Sequence, residues 1–403
     1  MNRPTLYWGG LGATILAAGA AMWFLFGGTS NTPPSTPGSG FGVGDTRDIS
    51  IPANNQNANN TLVSTEESRN KIFKLSDGPI AAATFVQTLR PTTTIARYAL
   101  SESGHVLDVV LDSPGGVPRA VSNTTIPGVQ RGLFVEGGSA ALLQYLDGSV
   151  VKTVYVGFPS GTSTKPRPAR IQFFPDNITD VAVSPDSKSV AYLLKSASGS
   201  DGYTARADGG GSKKLFSAPL SQLLVSWPTQ NTLLLRTKSS ALSLGALFSV
   251  SAQSGSIVPL MFAQGVSAIA DTSFTYVVYQ TTNAASVSYV RNMKTGKDDF
   301  FSFNPIPEKC VFGSAKTPTM YCAQPLEDSG PSYLDMWHQG VASLADSLFV
   351  FDPATGRGNI IATPGGAEGG VASDVASLAV SPDEKYLLFI KKGDRSLWAV
   401  RLD

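Results

Sequence analysis

Asp180-Val-Ala-Val-Ser-Pro-Asp-Ser-Lys-Ser-Val-Ala-Tyr-Leu-Leu-Lys195 and, far downstream, Ala376-Ser-Leu-Ala-Val-Ser-Pro-Asp-Glu-Lys-Tyr-Leu-Leu-Phe-Ile-Lys391 nearly align on a shared Ser-Pro-Asp. Each reads as a short apolar strand, a polar turn and a second apolar strand. The turn has a local chemical cause. Proline presets φ, and the Ser and Asp side-chain oxygens can accept backbone N–H groups within the turn.

Weaker copies of this unit surround the two clear ones. Val129–Tyr145 turns at Glu136-Gly-Gly, Gln222–Arg236 at Trp227-Pro-Thr-Gln-Asn, Val266–Gln280 at Asp271-Thr-Ser and Cys310–Cys322 at Ala315-Lys-Thr-Pro, with an opening copy from Ala81 to Tyr98. Second hairpins follow at Asp208-Gly-Gly-Gly, Gln253-Ser-Gly, Lys294-Thr-Gly and Asp352-Pro-Ala-Thr-Gly, where Gly supplies positive φ. No long window after Lys71 keeps a helical period, so this part of the chain is read as all-β. First strands near Thr84, Gln130, Val181, Leu223, Ser267, Cys310 and Ser377 recur at intervals of 46, 51, 42, 44, 43 and 67 residues. That is the length of a four-stranded blade, and seven units predict a seven-bladed β-propeller. The last unit lacks a strand and Lys71-Ile-Phe-Lys-Leu is one in surplus. Pairing the two would close the ring and remove its free edges.

The Ser-Pro-Asp pairs at Ser184-Pro185-Asp186 and Ser381-Pro382-Asp383 resemble the repeats of TolB-like propellers, relatives of the WD-repeat class. The Trp-Asp dipeptide of that class is absent. The resemblance covers most of residues 71–403 and implies a fold; it carries no chemistry of its own.

Composition agrees with this reading. Charged residues are 15% of the 403, against roughly 25% in an ordinary soluble domain, while Gly (40) and Pro (26) are plentiful. Coiled coils and helical bundles need the opposite. A net charge of +1 offers no field for nucleic acid, which is not expected as a partner.

The N-terminus reads differently. No charge occurs from Thr5 to Gly44, and Leu6–Gly27 is almost wholly apolar, with Trp8 and Trp23 near its ends. At ~1.5 Å per residue such a run spans roughly 33 Å, enough to cross a bilayer. Residues 1–27 are therefore expected to form a transmembrane signal anchor. A cleaved leader would use a small-residue site around Ala17–Ala21, but Met22-Trp-Phe-Leu-Phe26 prolongs the apolar run beyond it. Arg3 and the amino group precede the span, and the next basic residue after it is Arg47. The N-terminus is thus expected in the cytoplasm and the propeller outside it. Gly9, Ala13, Ala17 and Ala21 form a stripe through which two anchors could pair, although small residues are common in any span. Residues 28–66, rich in Pro, Gly, Ser, Thr and Asn, have no hydrophobic period and read as a flexible tether reaching roughly 35 Å. The propeller domain then occupies 67–403.

Cys310 and Cys322 flank one predicted hairpin and are expected to form a disulfide, which an extracytoplasmic location permits. Two cysteines without clustered histidines make no metal site, and no cofactor motif is present. The longest interval holds an insertion, 324–346, within the sixth blade. It carries Tyr333, Met336, Trp337 and His338, which would suit a protein-binding hot spot or, equally, would fold back to plug a neighbouring blade. No nucleophile elbow or phosphate loop appears. The carboxylates Glu136, Asp180, Asp271 and Asp374 lie near turns, where capping is the commoner role. The expected function is a membrane-anchored, extracytoplasmic binding or scaffolding module for a protein or envelope polymer, without enzymatic activity. The alternative is a glycan- or peptide-acting enzyme using carboxylates in the propeller channel.

Overall fold

Strand, tight turn and strand repeat until seven four-stranded antiparallel sheets have formed in sequence order. The computed structural model describes residues 70–402 apart from 90–91, 113–115, 160–168, 283–284, 302, 314–317 and 326–332. The anchor, the tether and the Gly9–Ala21 stripe lie outside the described residues. Among the described residues no helix is long and apolar enough to cross a membrane.

The chain opens with β1 (Ile72–Lys74). Blade 1 is β2 (Ile80–Leu89), β3 (Thr92–Leu100), β4 (Val106–Val110) and β5 (Arg119–Ser122). Blade 2 is β6 (Val129–Val135), β7 (Ala140–Asp147), β8 (Val150–Gly157) and β9 (Arg170–Phe173). Blade 3 is β10 (Ile178–Val183), β11 (Ser189–Ser196), β12 (Gly199–Arg206) and β13 (Lys213–Ala218). Blade 4 is β14 (Leu223–Thr229), β15 (Thr232–Thr237), β16 (Leu244–Ser251) and β17 (Ile257–Gln264). Blade 5 is β18 (Ser267–Ala270), β19 (Tyr276–Thr282), β20 (Ser286–Asn292) and β21 (Asp298–Phe300). Blade 6 is β22 (Cys310–Phe312), β23 (Met320–Pro325), β24 (Asp346–Asp352) and β25 (Arg357–Ala362). Blade 7 is β26 (Val375–Val380), β27 (Tyr386–Lys391) and β28 (Leu397–Arg401), completed by β1.

Each residue named as a first-strand marker falls in the first strand of its blade. The closure is the expected one: Ile72 pairs with Val400, Phe73 with Ala399 and Lys74 with Trp398. Neighbouring blades share their hydrophobic cores. Val135, Leu142 and Tyr155 of blade 2 pack with Val181, Val190 and Tyr192 of blade 3. Ile80, Ala96 and Tyr98 of blade 1 meet Leu388, Leu397 and Ala399 of blade 7. A blade in such a ring is covered on both faces. That is why second strands such as Val190–Leu193 and Tyr386–Phe389 are apolar without alternation and wholly buried.

The Ser-Pro-Asp turns behave as their chemistry requires. Ser184 Oγ donates to Asp186 (2.6 Å) and accepts the Ser189 N–H (2.9 Å). Ser381 Oγ donates to Asp383 (2.7 Å) and accepts the Tyr386 N–H (3.0 Å). Cys310 and Cys322 sit directly opposite in register, with Cα atoms 4.1 Å apart, and are joined by a disulfide. Among the described residues, two single 3-10 turns (Glu136–Gly138 and Pro307–Lys309) and a six-residue α-helix, α1 (Tyr333–His338), between β23 and β24 depart from the all-strand reading. A stretch this short holds too few turns to display a hydrophobic period in sequence.

Candidate functional site

Antiparallel blades put their turns on two faces. The turn joining first and second strands, and that joining third and fourth, lie on one face; the other turn and the crossing to the next blade lie on the opposite one. The Ser-Pro-Asp turns are therefore on the first face. On the second are the residues before β22 and β26, the loops after β15 and β27, and the excursion of blade 6 that contains α1.

Local sequence explains α1. Leu334 and Trp337, three positions apart, share one side of the helix and are buried with Ile306, against which Tyr333 and Leu344 also pack. Gly340, at φ +75°, ends it: its N–H donates to the Trp337 carbonyl (3.1 Å) and the Val341 N–H to that of Met336 (2.9 Å). This is a Schellman stop, and only glycine adopts its left-handed residue without cost.

The helix reaches across several blades. The Asp335 carboxylate accepts the Ala241 N–H (3.0 Å) and the Ser240 hydroxyl (3.4 Å) in the blade 4 loop. His338 Nε2 lies 3.5 Å from Glu308, which also pairs with Arg236 of blade 4 (2.8 Å) and accepts the Ser267 hydroxyl of blade 5 (3.3 Å). Trp337 Nε1 donates to Asp374 (2.9 Å) at the start of blade 7, and Lys392 of the same blade donates to the Trp337 carbonyl. Blades 4 and 7 lie nearly opposite in a ring of seven. A helix about 9 Å long that bonds to both spans the second face between them and covers the groups beneath it as a lid.

Beneath it is a sealed ionic cluster. Lys309, fully buried, donates to Asp346 Oδ2 (2.7 Å) and Asp374 Oδ1 (2.8 Å), and its ammonium lies 4.8 Å from the Trp337 ring centroid. Lys392 covers the same ring at 4.2 Å. Asp346 Oδ2 accepts the Val375 N–H (2.8 Å); its Oδ1 and the Tyr333 hydroxyl are buried without a hydrogen-bond partner. Burial pushes Asp346 above its ordinary value of 3.8 despite the opposing pull of Lys309. Burial, then the nearby Asp346 and Asp374 charges, also push the Tyr333 hydroxyl up.

The insertion residues thus divide. Met336 and His338 face outward, whereas Trp337 is 6% exposed and belongs to the interior, and Tyr333 is half-buried. Trp337 is corrected from a surface hot-spot candidate to the pin of the lid, because its indole N–H finds a buried carboxylate. Sequence reasoning did not pick out Lys309 or Asp346. A lysine beside a cysteine shows nothing in sequence; its burial follows from α1 folding over it. The carboxylates near turns are structural in part. Asp271 accepts the Tyr276 N–H (2.7 Å) and Glu136 the Tyr155 hydroxyl (3.1 Å). Asp180, buried, links Arg131 of blade 2 (2.5 Å) to the Val225 N–H of blade 4 (2.8 Å).

A cavity of about 370 Å³ runs along the first strands of blades 7, 1 and 2. Its walls are mainly Ala81–Ala83, Gly132, Leu133 and Ser377–Ala379; among the described residues that line it, Arg131, paired with Asp180, carries the charge and no carboxylate faces the cavity. Met336 and Val341 on the lid are exposed, as are Leu242, Leu244 and Phe262 of blade 4 beside it. Phe262 pairs with Ala246, two positions from Leu244 on the same side of the sheet.

No family model matches this chain, and no curated protein matches it. Among solved structures it is similar to oligogalacturonate lyase from Vibrio parahaemolyticus, with TM-score 0.52 and 8% identity over 82% of this chain and 93% of that one. It is also similar to the β-propeller domain of Cps50 (Swd1) from Myceliophteria thermophila, with TM-score 0.51 and 10% identity over 82% of this chain and all of the other. At these identities the shared feature is the seven-bladed fold.

Proposed function

We propose that this chain is a membrane-anchored, extracytoplasmic β-propeller that binds a protein or envelope polymer through its lid face. The observation that carries the reading is the lid itself. Trp337 and Asp335 fasten α1 across the second face between blades 4 and 7, and the ionic groups below are withdrawn from solvent, while Met336, Val341, Leu242, Leu244 and Phe262 stand exposed on the same face. Contiguous exposed apolar side chains rimmed by polar ones are a usual mark of interaction surfaces. A catalytic channel would instead bring ionisable groups to accessible walls, and the cavity here is walled by small and aliphatic residues. The apolar N-terminal run and the Pro/Ser/Asn stretch after it supply an anchor and a tether for such a module.

A photo-crosslinking residue placed at Met336 in the full-length chain in intact cells tests the reading. The expected result is a discrete adduct that is absent when the residue is placed at Lys294, on the opposite face. Equal labelling at both positions, or none at Met336, overturns it.

A further inference from the structure

We propose that the cavity along the first strands of blades 7, 1 and 2 is a binding site for an uncharged, mainly aliphatic small molecule with a single hydrogen-bonding end. The inference does not depend on the lid-face reading. The cavity is more than a stretch of open channel. Leu388 and Leu397 line it, and both belong to the core that blades 7 and 1 share with Ile80 and, at its margin, Ala83 and Ala379. It therefore reaches into the seam where the ring closes.

The repeat explains why space is left there. Ala182 and Ala379 hold the same place ahead of the two Ser-Pro-Asp turns. Ala182 packs into the core of blades 3 and 4, to which β14 brings Leu223 and Val225. Ala379 packs into the core of blades 7 and 1, to which β2, between Ile80 and Phe85, brings Ala83. Small side chains thus come from both blades where the other seam sets branched ones against its alanine. At the third wall, Gly132 of β6 has no side chain to fill the gap. A Cβ there would stand 3.0 Å from Ala82 Cβ and 3.0 Å from Leu143 Cδ2, so close packing of blade 2 on blade 1 keeps that wall bare.

Wall chemistry sets the class of ligand. An apolar cavity of roughly 150 Å³ holds one benzene, so about 370 Å³ accommodates a longer hydrocarbon body. The polar side chains among the described lining residues are Ser377 and Arg131. Asp180, 2.5 Å from Arg131 and held by the Val225 N–H (2.8 Å), already answers that guanidinium and sets a carboxylate beside it. An anion gains little there, and a cation finds no carboxylate in the walls to offset its desolvation. One neutral polar end is provided for. The Ser377 hydroxyl can donate or accept. The Ser381 N–H donates to the Tyr386 carbonyl (2.9 Å), so alternation along β26 turns the Leu378 N–H and C=O away from β27, onto the free edge of the blade.

Photo-labelling of the full-length chain in detergent with a medium-chain alcohol carrying a diazirine tests the proposal. Adducts are expected on peptides spanning 377–390 or 81–83, and excess 1-octanol is expected to abolish them. Absence of adducts in these segments, or adducts that 1-octanol leaves unchanged, overturns it, and the wild-type chain alone decides this. Ala379→Leu fills the cavity. With native circular dichroism and labelling at exposed Met336 as the internal standard, it is expected to lower the cavity adducts at least about tenfold, and Ser377→Leu serves in its place if it does not fold. Cavity adducts undiminished in a folded filled variant overturn the site. The carboxylic acid of the same chain is expected to label the cavity at least about tenfold less; equal labelling overturns the uncharged class.

Discussion

Ser187 shows how much a single residue contributes to these turns. It holds φ at +59°, as Phe274 (+55°) and Glu384 (+54°) do at the matching position of blades 5 and 7. None of the three is glycine, so the turns absorb a left-handed penalty that the capping Ser and Asp oxygens offset. Ser187→Val is expected to lower stability by about 1–2 kcal/mol relative to Ser187→Gly, read from denaturant midpoints at constant m. Lys309 is the opposite case, a charged group whose partners are all buried. Lys309→Met leaves Asp346 without its buried counter-charge and Asp374 with only Lys392, 4.0 Å away, and a loss of roughly 3–5 kcal/mol is expected in the same measurement.

At the scale of elements, the Ser-Pro-Asp turns and the lid respond to different perturbations. The hydrogen bond from Ser184 holds the Asp186 carboxyl below its ordinary 3.8; at Asp383, burial acts upward but is outweighed by bonds from Ser381, the Lys385 N–H and Thr94. A carboxylate lowered in the folded state stabilises above its unfolded pKa, and that contribution disappears as pH falls through the folded value. Asp346, raised by burial, has the opposite sign: its contribution is present at low pH and declines as pH rises through its folded value. Titrating stability downward from pH 5 should therefore reveal an acid-side loss that is shallower in Asp186→Asn and Asp383→Asn than in wild type. An equal slope in these variants would show that the turns do not set it. For the lid, Asp335→Ala orphans the Ala241 N–H. A local cost of about 1.4 kcal/mol would speed amide exchange of Gly340 and Val341 about tenfold, with the blade strands unchanged.

For the whole molecule, closure is the decisive contact. Ile72, 1% exposed, packs with Leu387 and Val400 and belongs to β1, the strand that pairs with β28 and joins the N-terminal end of the propeller to its last blade. Ile72→Ala is expected to cost about 3 kcal/mol in global unfolding. Removing β1 altogether bares the edge of β28, and size-exclusion chromatography should then show self-association. The blades and their number were legible in sequence because each is a local hairpin array: Ser-Pro-Asp, Asp-Gly-Gly-Gly and Asp-Thr-Ser act through neighbouring atoms and so leave a periodic trace. The cross-hairpin disulfide was legible for the same reason, since register alone brings Cys310 opposite Cys322. The lid and its ionic root were not. Lys309, Asp346 and Asp374 come from the crossing into blade 6, the start of its third strand and the crossing into blade 7, and Trp337 from a helix too short to show a period. Chain order fixes what adjacent residues do to each other; the burial of a charge depends on which distant segments close over it, and only the assembled ring decides that.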